Sequence, residues 1–257
     1  MNTKNPEVRI HVFLTDRTAT LYLDTSGEPL YKRGYKPAAV EAPLKENLAA
    51  GILRLTGWQP DEALVDPMCG SGTFLIEAAQ MALDIAPGLG RGFAFERLRI
   101  HDRGAWAALR RAAEQRRKPA RVLPIFGSDV VGEWVRRSRM NLDAAGLADC
   151  VRLDRADVLE RTPPAAAGVM VANPPYGVRI GEAEELLAFY PRLGDALKQR
   201  WGGWRCYLFS ADPEPPKRIG LKASRRTPLF NGALECRLFE YRMVAGSNRE
   251  RTPRPQE

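Results

Sequence analysis

Val65-Asp66-Pro67-Met68-Cys69-Gly70-Ser71-Gly72-Thr73 is the stretch on which the reading of this 257-residue chain turns. A short apolar run at 63–66 leads into it and a helix-periodic segment at 73–83 leads out, so it spells strand, tight turn, helix. Glycines at 70 and 72 permit backbone angles closed to other residues and let a ligand approach with no Cβ in the way. An acidic side chain at the strand's last position suits a ligand amino group, while the helix N-terminus beyond suits a carboxylate. An α-amino acid such as methionine presents both. A phosphate loop would need Gly-x-x-x-x-Gly-Lys-Ser/Thr, which the chain lacks, and a dinucleotide fingerprint would need glycine where Leu75 stands. Nucleoside triphosphates and NAD are therefore disfavoured.

Outward from this loop, strands alternate with helices. The pattern predicts a helix over 44–56, an irregular basic insertion, a strand over 122–127 and a helix over 130–145 closed by Gly146. It then predicts strands over 150–154 and 168–172, a helix over 183–199, a strand over 204–209 and two β segments near 219–226 and 233–244. This order gives an α/β fold with a mostly parallel sheet and helices on both faces, whose ligand sites lie beyond the carboxyl ends of the strands. Ahead of it, residues 8–14 and 19–24 read as a β-hairpin around Thr15-Asp16-Arg17-Thr18. Residues 1–40 form an N-terminal hairpin and linker too short to own a core. Residues 41–245 form the main domain, and 246–257 a disordered tail.

Two further acidic residues follow successive strands, Asp129 in Gly127-Ser128-Asp129 and Asp157 in Ala156-Asp157. The first could accept both hydroxyls of a ribose and the second an adenine amino group. Taken singly, each reads equally as a helix cap or turn residue. Three acidic residues at three strand ends favour one shared site.

The strand at 168–172 ends in Asn173-Pro174-Pro175-Tyr176-Gly177. The exocyclic amino group of a base is a poor nucleophile because its lone pair is delocalised into the ring. Two acceptors aimed at its N–H bonds, the Asn173 side-chain oxygen and the Pro174 carbonyl, would hold the nitrogen toward a pyramidal geometry. Two prolines fix φ and remove two backbone donors, which pre-aims the carbonyls. Tyr176 offers a face for an unstacked base. Methylation at a pyrimidine C5 would need a cysteine beside the catalytic proline, and the residue after Pro175 is tyrosine.

Charge points to the acceptor's class. The net charge is +8, and residues 97–121 carry nine Lys/Arg against Asp102 and Glu114. Residues 217–257 carry ten Lys/Arg against four Glu. Arginine dominates, and its planar fork suits phosphate, so RNA is the expected partner. Cys69, Cys150, Cys206 and Cys236 have no Cys-x-x-Cys spacing and only His11 and His101 to assist them, which predicts reduced core thiols and no metal site. Neither a membrane-spanning run nor a signal peptide is visible, so the expected location is the cytoplasm.

With both loops in view, the chain resembles the methyltransferase half of the THUMP-associated RNA guanine-N2 methyltransferases, above all the bacterial branch acting on 23S rRNA. The resemblance rests on Arg33-Gly34-Tyr35, on Ala42-Pro43-Leu44-Lys45-Glu46-Asn47-Leu48-Ala49-Ala50, and on the strings at 66–73, 75–79, 86–88, 127–129 and 173–177. It implies a Rossmann-like class I sheet of seven strands with an antiparallel last strand. It implies that Asp66, Pro67, Met68, Cys69, Gly70, Ser71, Gly72, Thr73, Asp129, Asp157 and Asn173 hold S-adenosylmethionine. Asn173, Pro174 and Tyr176 would present the base, and residues 41–48 would close the cofactor pocket. The alternatives are a tRNA guanine-N2 enzyme, a DNA adenine-N6 or protein glutamine-N5 methyltransferase using the same loop, and a non-catalytic RNA-binding remnant. Two departures stand out. Residues 8–24 correspond to only the final hairpin of a THUMP region, which would make the chain a truncated or naturally short form, and Val178 replaces a glutamate common among relatives.

Overall fold

The computed structural model describes residues 6–35, 44–174, 182–211 and 215–244. Two sheets are present among them. The small one is an antiparallel hairpin, β1 (Ile10–Leu14) and β2 (Ala19–Leu23), with all ten residues exposed. The large one has seven strands: β3 (Leu64–Asp66), β4 (Ile125–Asp129), β5 (Arg152–Arg155), β6 (Gly168–Ala172), β7 (Trp204–Ser210), β8 (Arg225–Asn231) and β9 (Leu234–Arg242). Their spatial order is β5-β4-β3-β6-β7-β9-β8, and only the pairings made by β9 are antiparallel. The order reverses beside β3, so β3 and its neighbours β4 and β6 mark the switch point where such sheets open a crevice.

The helices are α1 (Glu46–Thr56), α2 (Thr73–Ala82), α3 (Arg103–Arg116), α4 (Gly132–Ala144), α5 (Glu182–Arg200) and the single turn α6 (Pro215–Arg218). Two apolar clusters cover the sheet's faces. One packs Ile52, Leu53, Phe74, Leu75 and Ile76 against Leu64, Ile125 and Val169. The other packs Tyr190, Leu193, Leu197 and Trp201 against Val65, Met170, Cys206 and Leu208. Residues 168–172 are buried on both faces, which explains their unbroken apolar run. Gly194 of α5 faces the Ile219 carbonyl so closely that a Cβ there would lie 1.7 Å from the oxygen. All four cysteines are buried free thiols.

Three expectations need correction. The 97–121 insertion is not irregular, since it contains α3, capped by Asp102 accepting from the Ala105 amide at 2.9 Å. The strand expected at 122–127 starts at Ile125, after Pro124, and runs to Asp129. The segment expected at 219–226 is β8, at Arg225–Asn231; it carries Pro228, which a sheet tolerates on an edge strand. The proposed boundary at residue 40 and the tail at 246–257 lie outside the described residues.

Arg33-Gly34-Tyr35 acquires a physical role. The Arg33 guanidinium donates to both Glu77 oxygens at 3.2 and 3.3 Å, and the Tyr35 hydroxyl donates to Oε1 at 3.1 Å. Gly34, at φ +90°, makes the turn that brings both side chains back to one carboxylate. Glu77 is 3% exposed and sits on the second turn of α2, so this strap fastens the N-terminal segment behind the 66–73 loop. Glu77→Ala would leave the Arg33 charge, which keeps only the Leu30 carbonyl, and the buried Tyr35 hydroxyl without their carboxylate, and should destabilise the fold by about 3 kcal/mol in urea titration. Glu77→Gln, which keeps an acceptor, should cost less.

Candidate active site

The loop after β3 is a rigid cradle. The Asp66 carboxylate accepts from the Met68 amide at 3.2 Å, an Asx turn that sends the chain back over the strand end. Cys69 N donates to Ser128 O, and Gly72 N to Cys69 O, closing the turn. Gly70 and Gly72 both have positive φ, +51° and +81°. A Cβ on Gly72 would meet Ser138 Oγ at 2.7 Å. Gly72→Ala thus combines left-handed strain of about 1–2 kcal/mol with displacement of Ser138, and should lower both Tm and cofactor affinity.

Ser138 and Asn141 escaped sequence reasoning. Both lie on α4, where Ser138 Oγ donates to Gly70 O and Asn141 Nδ2 to Ser71 O, each at 2.9 Å. These bonds satisfy loop carbonyls left without helical partners. A polar pair at i and i+3 on an otherwise sheet-facing helix was the available signal.

Asp129 is a turn residue that also lines a cleft. One oxygen accepts from Gly70 N and the other from Val131 N, each at 3.0 Å. A carboxylate has about four lone-pair positions, so each oxygen retains one for a ligand hydroxyl. Asp157 likewise accepts from Leu159 N at 2.9 Å and keeps capacity beyond it. Asp66 is 1% exposed. Burial, reinforced by the nearby Asp129 charge, pushes its carboxyl well above the usual range. Without a cationic partner it therefore favours its neutral form.

Strand register gathers these groups. Asp66 pairs with Gly127, and Asp129 with Arg155. Val65 pairs with Met170, which sets Asn173, just beyond β6, level with the loop leaving β3. Pro67, Met68, Gly70, Asp129, Asp157 and Asn173 all line one cleft of about 930 Å³, joined by Val130 and Val131 just before α4, by Trp134 in its first turn and by Phe189 and Arg192 from α5. Ser71 is half-buried beside it, while Cys69, Gly72 and Thr73 are buried in the loop's backing. The Cys69 thiol approaches Ser138 Oγ at 3.5 Å, and burial raises its pKa, so it is a packing group rather than a nucleophile. Asn173 is half-buried and Pro174 buried; Tyr176 lies outside the described residues. Among the described residues no cluster of three or more His, Cys, Asp or Glu is placed to hold a metal.

A buried acid at one strand end, hydroxyl acceptors at the next and a Gly-turn-helix between them fit an amino-acid moiety joined to a nucleoside. Residues 33–240 match the family described as UPF0020: RMKL-like, methyltransferase domain. The chain belongs to that family. The chain is 39% identical over 244 residues to slr0064 of Synechocystis sp., provisionally described as an RNA methyltransferase, covering 95% of this chain and 64% of that protein. It is 41% identical over 252 residues to the ribosomal RNA large subunit methyltransferase K/L of Shewanella baltica, covering 96% of this chain and 36% of the relative. The chain thus spans under two thirds of the length of either relative. Among solved structures, SMU.472 complexed with SAH superposes with a TM-score of 0.84 at 35% identity, covering 92% of this chain and 62% of that one. The RMKL-like family and this superposition agree with the class I sheet and its antiparallel last strand. Among the described residues no helix is long and apolar enough to cross a membrane.

Proposed function

We propose that this domain transfers a methyl group from S-adenosylmethionine to the exocyclic N2 of guanine in RNA, most simply 23S rRNA. The observation that carries the reading is Asn173, at the end of β6, on the wall of the same cleft as Asp129 and Asp157. The cradle suits the cofactor, because a buried carboxylate that is costly alone becomes favourable opposite an ammonium. Bound S-adenosylmethionine supplies an electrophilic methyl on a sulfonium that departs as a neutral thioether. Asp66 accepts the methionine ammonium, and the open start of α2 faces its carboxylate. Asp129 receives ribose hydroxyls and Asp157 the adenine amino group. Asn173 Oδ1 and the Pro174 carbonyl accept from the two N–H bonds of the target amine, holding its lone pair in line. The methylated nitrogen, now cationic and acidic, loses its proton to water, so no strong base is required.

RNA is supported by the basic surface and by the RNA-methylating names of the relatives. The test is to incubate the protein with methyl-labelled S-adenosylmethionine and unmodified 23S rRNA, tRNA or duplex DNA. Label confined to 23S rRNA is expected. Label confined to tRNA would shift the address, and label in DNA or in protein would overturn the reading.

A further inference from the structure

Helix α3 and its flanks, residues 97–121, carry nine Lys/Arg against two acids, and the catalytic reading leaves them unused. The C-terminal end of α3 is tied to that of α2 by the Lys118 amide donating to Leu83 O at 2.8 Å. The cofactor loop opens at the other end of α2. At 1.5 Å per residue, the C-terminal end of α3 therefore lies about 15 Å from the loop, and no residue of α3 lines the cleft.

The mounting of α3 is stiff. Trp106 packs edge-on against Phe93 and Phe95, with centroids 5.5 and 4.9 Å apart, and Phe93 stacks on Phe95. Phe95 N donates to Thr25 O, and the Arg91 guanidinium donates to the Ser26, Glu28 and Pro29 carbonyls, which fastens this platform to the N-terminal hairpin's base. No residue of α3 is buried. A helix that contributes nothing to the core, yet is held by an aromatic box, presents its surface to something.

That surface is cationic. Arg116, Arg117 and Arg121 find carboxylates in Asp84, Glu114 and Asp61, and Arg110 donates to the Leu89 carbonyl. Among the described residues, no carboxylate pairs with exposed Arg99, Arg103, Arg111 or Lys118. Asp102, the one other acid on the segment, is spent on the N-cap. Between the arginines the exposed side is apolar, and beside Leu109 it is small, at Ala105, Ala108 and Ala112, where a sugar-phosphate chain could lie close to the helix axis. Toward the hairpin the surface continues into a groove of about 430 Å³ flanked by Arg9 and Arg97. Of the acids on that groove, Glu7, Glu28 and Glu96, Glu28 is paired with Lys32 and Glu96 with the Phe93 amide.

We propose that α3 and its flanks form a phosphate-backbone anchor for the RNA substrate, separate from the catalytic cleft. This rests on the reading of the substrate as RNA. The anchor would take the RNA backbone without reading bases, fixing where the duplex lies while the target guanine enters the cleft.

The test is binding of unmodified 23S rRNA transcript to the full chain across a salt series. Arg99→Glu/Arg103→Glu/Arg111→Glu is expected to weaken Kd at least tenfold. It should also lower the slope of log K against log salt by about 2–3, as loss of three phosphate contacts requires. S-adenosylhomocysteine affinity should be unchanged, which reports an intact fold. The neutral Arg→Gln triple should show a smaller effect in the same direction. A control reversal at Arg54, Arg17 and Lys198 changes net charge equally. If the control weakens RNA binding as much as the α3 variant, or the α3 variant binds RNA as tightly as the unaltered chain, the anchor is refuted and the RNA reading stands. An unaltered chain that binds no RNA would refute both.

Discussion

Asn173→Ala is expected to lower single-turnover methyl transfer by on the order of 10²–10³-fold, comparable to losing one preorganised hydrogen-bonding group at a reacting centre. The size follows from what Asn173 does and what remains. Its side chain is half-buried at the end of β6 and faces the cleft. On the proposed reading it supplies one of two acceptors for the target amine; the other, the Pro174 carbonyl, is backbone and survives substitution. With one acceptor the amine can rotate back into conjugation with the ring, and the loss is felt in the transition state more than in the bound state. Cofactor affinity, assigned by the proposal to the loop at 66–73 and to Asp129, should change little. Isothermal titration with S-adenosylhomocysteine and single-turnover kinetics on the same preparation separate the two. Asn173→Asp, which keeps an acceptor, should retain more activity than the alanine variant.

Asp66→Asn is expected to weaken S-adenosylhomocysteine binding by about 2–3 kcal/mol, the worth of a hydrogen bond to a charged group in a dry site. The unliganded variant should be at least as stable as the original. The sign follows from burial. Asp66 titrates well above its usual value of 3.8 in the folded chain. Between 3.8 and that raised value the folded state holds a proton that the unfolded chain has released, so stability falls as pH rises through the window. Asparagine removes this penalty and can still accept from the Met68 amide. Cofactor binding runs the other way: an ammonium ligand selects the ionised carboxylate, so affinity should rise with pH through the same window, with a proton released on binding. Flat affinity across that window in the unaltered chain would contradict the Asp66 assignment.

Strands that obey local rules were legible. The run at 168–172 and the Gly-Ser-Gly turn could be read because burial on both faces and positive φ each demand particular residue types. Helix α3 was missed because it packs only through Trp106 and small half-buried alanines, a thin apolar side among arginines, although Asp102 and Pro119 bracket it. β8 was shifted because Pro228 reads as a breaker until its edge position is known. Ser138, Asn141 and the Arg33-Tyr35-Glu77 strap depend on contacts between residues far apart in sequence. Such contacts exist only once helices have chosen their faces. Asp129 was foreseen as a ligand group or a turn residue; it is the second, with capacity left for the first.

On the proposed reading, the loop beginning at Asn173 presents guanine N2 to the methyl donor. The most direct measurement is mass spectrometry of nucleosides from 23S rRNA transcript incubated with the protein and isotopically labelled S-adenosylmethionine, with the Asn173→Ala variant alongside. The account predicts labelled N2-methylguanosine with the original chain and its near-absence with the variant. Label on N6 of adenosine, on a ring carbon, or on guanosine at an undiminished rate with the variant would contradict it.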